Sequence, residues 1–68
     1  MNEESLNLSL RKFLKIVGVT SQQEIEKAIR TAIADGKLNG TQSVRAEMVL
    51  TIDEVGLTHK VGGIIELA

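Results

Sequence analysis

No cysteine occurs among the 68 residues, and this absence narrows what the chain can fold into more than any residue it contains. A chain of this length buries only about 60% of the surface its unfolded form exposes, so a lone core is marginal. Small domains are commonly reinforced by disulfides, a structural metal or association. Disulfides are ruled out, thiolate zinc sites go with them, and the single histidine, His59, cannot build a multi-histidine site. Phe13 is the only large ring available to a core. Association with a second copy is the remaining route, so a homodimer is expected.

The first apolar series is Leu6, Leu10, Phe13, Leu14 and Val17, which share one stripe of a helix, while Leu8 falls off it. Asn2 is placed to cap this helix, and Glu3 and Glu4 occupy the first turn, where the helix dipole favours negative charge. Gly18 offers the left-handed residue that ends many helices. The next residues, Thr20-Ser21-Gln22-Gln23-Glu24, carry two overlapping capping boxes. A second series, Ile25, Ala28, Ile29, Ala32 and Ile33, again has helical spacing, Glu26 and Arg30 form a favourable pair, and Gly36 closes the run. The expectation is therefore two helices, 3–17 and 21–35, joined by a tight turn at Gly18-Val19.

Beyond Gly36 the period changes to two. Asn39-Gly40 signals a turn, and Val44, Ala46, Met48, Leu50 and Ile52 alternate with Arg45, Glu47 and Thr51, the run being interrupted by Val49. Asp53-Glu54-Val55-Gly56 reads as a four-residue hairpin loop with Gly56 in the left-handed position. A second strand then carries Leu57, Val61, Ile65 and Leu67. A four-residue loop makes paired residue numbers sum to 109, which sets Leu50 opposite His59, Met48 opposite Val61 and Val44 opposite Ile65. This register gathers the apolar residues of both strands on one face, and a slip of one would scatter them. The Gly62-Gly63 pair suggests a bulge or a close approach.

The expected architecture is α+β, α-α-β-β, one domain over 1–68 with two N-terminal helices and a two-stranded antiparallel hairpin at 44–52 and 57–67. A two-stranded ribbon has two open edges and is marginal alone. Dimerisation is expected to complete it, by edge strands pairing into a four-stranded sheet or by helical faces packing together.

Charge and motifs exclude more than they identify. The net charge is −1; no segment has the strong basic excess of a phosphate-backbone binder. The start of the chain is acidic, and no apolar run approaches the roughly 20 residues that span a bilayer, so a cytoplasmic protein without a membrane partner is expected. No catalytic, metal-binding or cofactor-binding residue is identified, and no cofactor is expected. His59 lies between apolar residues with no motif supplying a partner, so it reads first as a structural histidine and only third as the base of an enzyme. Asp53 and Glu54 read as a solvated turn, and Gly36-Lys37 and Gly40-Thr41 lack the glycine spacing and preceding strand of a phosphate loop.

Leu8, Val49 and Ile64 are left as spare hydrophobes and are the candidate interface residues of a non-enzymatic protein-interaction or structural module. The alternative is a weak nucleic-acid binder resembling part of a helix-turn-helix with a wing, using Arg11, Lys12, Lys15, Lys27 and Arg30. Against it stand the acidic wing tip and the missing third helix.

The stretch Ser9-Leu10-Arg11-Lys12-Phe13-Leu14-Lys15-Ile16-Val17-Gly18-Val19-Thr20-Ser21-Gln22 resembles a small family of uncharacterised bacterial proteins of about this length. The likeness extends through Glu24-Ile25-Glu26-Lys27-Ala28, Gly36-Lys37-Leu38, Gly56-Leu57-Thr58-His59 and Ile65-Glu66-Leu67. The resemblance implies a bacterial, cytoplasmic, stand-alone domain and assigns no activity and no functional residue.

Overall fold

A computed structural model describes residues 1–68. The element order is α1 (Glu3–Ala34), β1 (Ser43–Ile52), a single 3-10 turn (Asp53–Val55) and β2 (Leu57–Glu66). The chain divides into two units, Met1–Lys37 and Leu38–Ala68.

The first unit corrects the expected pair of helices. Residues 3 to 34 form one continuous helix, so the architecture is α-β-β and not α-α-β-β. Gly18 does not adopt the left-handed conformation that would stop the chain; positive φ is confined to Gly36, Gly40 and Gly56. The Thr20 hydroxyl, which a second helix would use as a cap, instead donates backward to the Ile16 carbonyl at 2.7 Å. The physical reason is a comparison of costs. A glycine inside a helix costs about 1 kcal/mol relative to alanine, whereas a break strands up to four carbonyls on one side and four amides on the other. Capping boxes recover only part of that loss.

The apolar pattern also runs through the expected break. Leu6, Val17 and Ala28 are spaced by 11 residues, as are Leu10, Ser21 and Ala32, and Leu14 and Ile25. Eleven residues are close to three full turns, so the stripe stays on one side of a nearly straight helix.

Both ends of α1 follow the local chemistry of the sequence. The Ser5 amide donates to the Asn2 side chain at 3.1 Å, with Glu3 and Glu4 in the first turn. At the other end Gly36, at φ 78, lets its own amide reach the Ile33 carbonyl at 3.1 Å and the Lys37 amide reach the Ala32 carbonyl at 2.8 Å. These two bonds are the paired closure of a glycine-terminated helix.

The second unit matches the expected hairpin. The strands pair antiparallel from Ser43 with Glu66 to Ile52 with Leu57, and every pair sums to 109. The observed bounds, 43–52 and 57–66, lie within one residue of those expected. Gly56 sits at φ 63 and donates to the Asp53 carbonyl at 3.1 Å, closing the loop. Upstream, the Asn39 side chain accepts from the Thr41 amide and hydroxyl, both at 2.9 Å, and orders the approach to β1. No bulge occurs at Gly62-Gly63, because the pairing is unbroken there. Gly62 instead lies under the Arg45 guanidinium, 2.8 Å from where a Cβ would stand.

Two substitutions test these assignments. Gly18→Ala meets nothing within 4 Å, so it should raise helical ellipticity and stabilise the fold by up to about 1 kcal/mol; a loss of helicity would mean that Gly18 turns the chain. Gly56→Ala should destabilise the hairpin by roughly 1–2 kcal/mol, because alanine resists positive φ, and thermal melting would show it.

Candidate interaction surfaces

Each unit presents an apolar surface that it does not cover itself. No residue anywhere in the chain is buried. On α1 the large stripe residues lie partly open, Leu6 at 37%, Leu10 at 43% and Phe13 at 49% exposure, while Val17, Ser21, Ile25 and Ala32 are half-buried. Successive residues turn about 100°, so Leu14 shares the side of Ala32 on this stripe, Glu24 interrupts it on the side of Leu6, Ile29 falls on its flank and Leu8 on the far side.

On the ribbon, the register places Val44, Ala46, Met48, Leu50 and Ile52 on the same face as Leu57, His59, Val61, Gly63 and Ile65. Ala46 pairs with Gly63, which leaves a shallow notch in that face between the Met48–Val61 and Val44–Ile65 pairs. The opposite face is polar in composition. Arg45 approaches Glu47 at 3.9 Å with both side chains largely in solvent, an arrangement that contributes little to stability.

The residues expected to form an interface are exposed but scattered. Leu8 stands at 67% exposure in α1, away from the stripe. Val49 and Ile64 share the polar ribbon face, where Val49 pairs with Lys60 and Ile64 with Arg45. Glu47 and Gly62 occupy the positions between them, so the two do not merge into one patch. The stronger surfaces are the two faces described above. The ribbon face is legible from its alternation. The full length of the helical stripe is concealed in the sequence by Gly18; the continuing steps Val17, Ser21, Ile25 and Ala28 are the signal that reveals it.

The basic residues do not converge either. Arg11, Lys12 and Lys15 lie in the first half of α1, and Lys27 and Arg30 in the second. They spread along about 28 Å of helix, with Glu24 and Glu26 among them. Arg30 is engaged by Glu26 at 3.6 Å, and Glu26 also accepts from the Gln22 amide at 3.2 Å. An open groove of about 390 Å³ along the last turns passes Lys27, Thr31 and Lys37 together with Glu24 and Asp35, so both signs of charge line it. The tight turn that suggested a helix-turn-helix is helical throughout.

His59 faces the apolar side of the ribbon opposite Leu50. No group of three or more His, Cys, Asp or Glu side chains comes together to hold a metal ion, and no helix is long and apolar enough to cross a membrane.

The chain belongs to the DUF6494 family, a family of unknown function that spans residues 1–68. No curated protein and no solved structure matches it.

The distribution of charge generates a direct expectation. Fluorescence anisotropy with labelled duplex and single-stranded DNA should detect no binding at physiological salt. Affinity that is strong at low salt and falls steeply as salt rises would restore the five basic side chains as a phosphate-binding surface.

Proposed function

We propose that the protein is a non-enzymatic homodimeric module of the bacterial cytoplasm that works by presenting surfaces to other proteins or by building a structure. The observation that carries this reading is the uncovered apolar surface. Leu10, Phe13 and Leu14 on α1, and Met48 and Val61 on the ribbon, remain 42–55% exposed. Covering apolar area contributes about 25 cal/mol for each Å², so a second copy seated on either face would stabilise the chain.

The absence of cysteine supports the same conclusion, since neither a disulfide nor a thiolate metal site can supply the missing stability. The resemblance of the sequence to uncharacterised bacterial proteins supports the assignment of compartment and source. His59, set among apolar neighbours on an uncovered face, fits a residue that lines an interface.

Sedimentation equilibrium at micromolar concentration should return twice the 7.4 kDa chain mass, and the melting temperature should rise with protein concentration, as mass action requires for a coupled dimer. A 7.4 kDa species whose melting is independent of concentration would overturn the proposal. Paired substitutions sharpen the test. Met48 and Val49 are comparably open, at 42% and 51%, on opposite faces of the ribbon. Met48→Asp should destabilise by roughly 2 kcal/mol or more if another chain covers that face, while Val49→Asp should fall within about 0.5 kcal/mol of the unmodified protein.

A further inference from the structure

We propose that Asn39-Gly40 is a site of self-modification: the Gly40 backbone nitrogen attacks the Asn39 side-chain amide, which Thr41 activates, and Asn39 becomes aspartate or isoaspartate. This inference is independent of the homodimer. Asn39 Oδ1 accepts two hydrogen bonds from one residue, from the Thr41 amide and from the Thr41 hydroxyl, both at 2.9 Å. Two donors on a carbonyl oxygen draw electron density from its carbon and stabilise the negative charge that attack places on the oxygen. The rest of the turn holds this arrangement in place. The Asn39 amide donates to the Gln42 side-chain oxygen at 3.2 Å, and the Gln42 carbonyl in turn accepts from the Leu67 amide at 3.2 Å.

Gly40 supplies the nucleophile. It stands at φ 83 and carries no Cβ, so no side chain of its own crowds the approach of its nitrogen to the Asn39 Cγ. The reacting groups belong to adjacent residues, and attack within one chain has the high effective concentration of an intramolecular reaction. The bond from the Gly40 nitrogen to Cγ forms, the Cγ–Nδ2 bond breaks, and Nδ2 departs as ammonia with the proton that Gly40 gives up. Water then opens the five-membered imide: attack at Cγ leaves aspartate, and attack at the main-chain carbonyl leaves isoaspartate. Asn39 and Thr41 are both exposed, so water reaches the imide. Either product adds one negative charge to a chain of net charge −1, and isoaspartate lengthens the connection between α1 and β1 by one carbon.

The other two asparagines lack these features. Asn2 precedes Glu3, and its side chain caps α1 by accepting from the Ser5 amide. Asn7 lies inside α1, where the Leu8 nitrogen that would attack is committed as a helical donor.

Intact-mass measurement and peptide mapping of the full chain, incubated at neutral pH, follow the conversion and separate aspartate from isoaspartate. Modification should concentrate at Asn39 and proceed faster in the folded chain than in the same chain held unfolded in denaturant, where both Thr41 bonds are lost. Thr41→Val removes the hydroxyl while keeping the amide and the branched shape, and should slow conversion of the folded chain about 2- to 10-fold, the range that one hydrogen bond supplies. The unfolded chains should show no such difference. Thr41→Ser returns a hydroxyl and should recover the rate. Conversion at Asn2 or Asn7 ahead of Asn39, or an Asn39 that converts more slowly folded than unfolded, would overturn the proposal. So would a Thr41→Val rate equal to or above that of the unmodified chain, because the two bonds would then be holding the amide away from Gly40.

Discussion

A helix buries its apolar stripe only against another element, and a sheet buries its apolar face only against a second layer. This constraint governs the whole molecule, because each unit offers one such surface and neither unit covers its own. Leu6, Leu10 and Phe13 on α1, and Met48, Leu57 and Val61 on the ribbon, all remain open. The secondary structure is held by local devices: the Asn2 cap, the glycine closure at Gly36, the Asn39 turn and the Gly56 loop. Devices of this kind contribute about 1 kcal/mol each, enough to define where elements begin and end but too little to hold a chain of this length folded. The balance has to come from covered apolar area, and that is why association is central to the functional reading.

Continuity of α1 decides which surfaces exist. Two short helices folded at Gly18 would have turned their stripes toward one another and hidden them. A single helix of 32 residues instead lays Leu6 to Ala32 along one side, about 40 Å in length. The same continuity removes the turn on which a helix-turn-helix reading depends. It also distributes Arg11, Lys12, Lys15, Lys27 and Arg30 along a rod with Glu24 and Glu26 among them, so no concentrated positive surface results. The glycine that obscures this arrangement is a helical residue with open space around it.

The ribbon shows a different relation between sequence and site. Its apolar face is legible because alternation over ten residues has only one register that gathers the apolar positions, and the four-residue loop fixes that register independently. The notch at Ala46 and Gly63 follows from the same pairing. The role of Gly62 does not, since the Arg45 guanidinium that lies over it belongs to the facing strand. Val49 and Ile64 are exposed hydrophobes, as the sequence suggests, yet alternation alone does not show that Glu47 and Gly62 keep them apart; that emerges once both strands are set side by side.

What the sequence determined by itself is whatever local chemistry controls: both ends of α1, the bounds of the hairpin, its loop and its register. Each depends on groups within a few residues of one another, on glycines at positive φ, on a capping side chain or on a period of two. Only the tertiary structure decided that Gly18 continues the helix and that neither unit encloses a side chain by itself. A helix folds back at a glycine when packing between its two halves outweighs the hydrogen bonds lost at the break, and that packing joins residues far apart in the chain. The balance is set by how whole surfaces meet, which no short stretch of sequence contains.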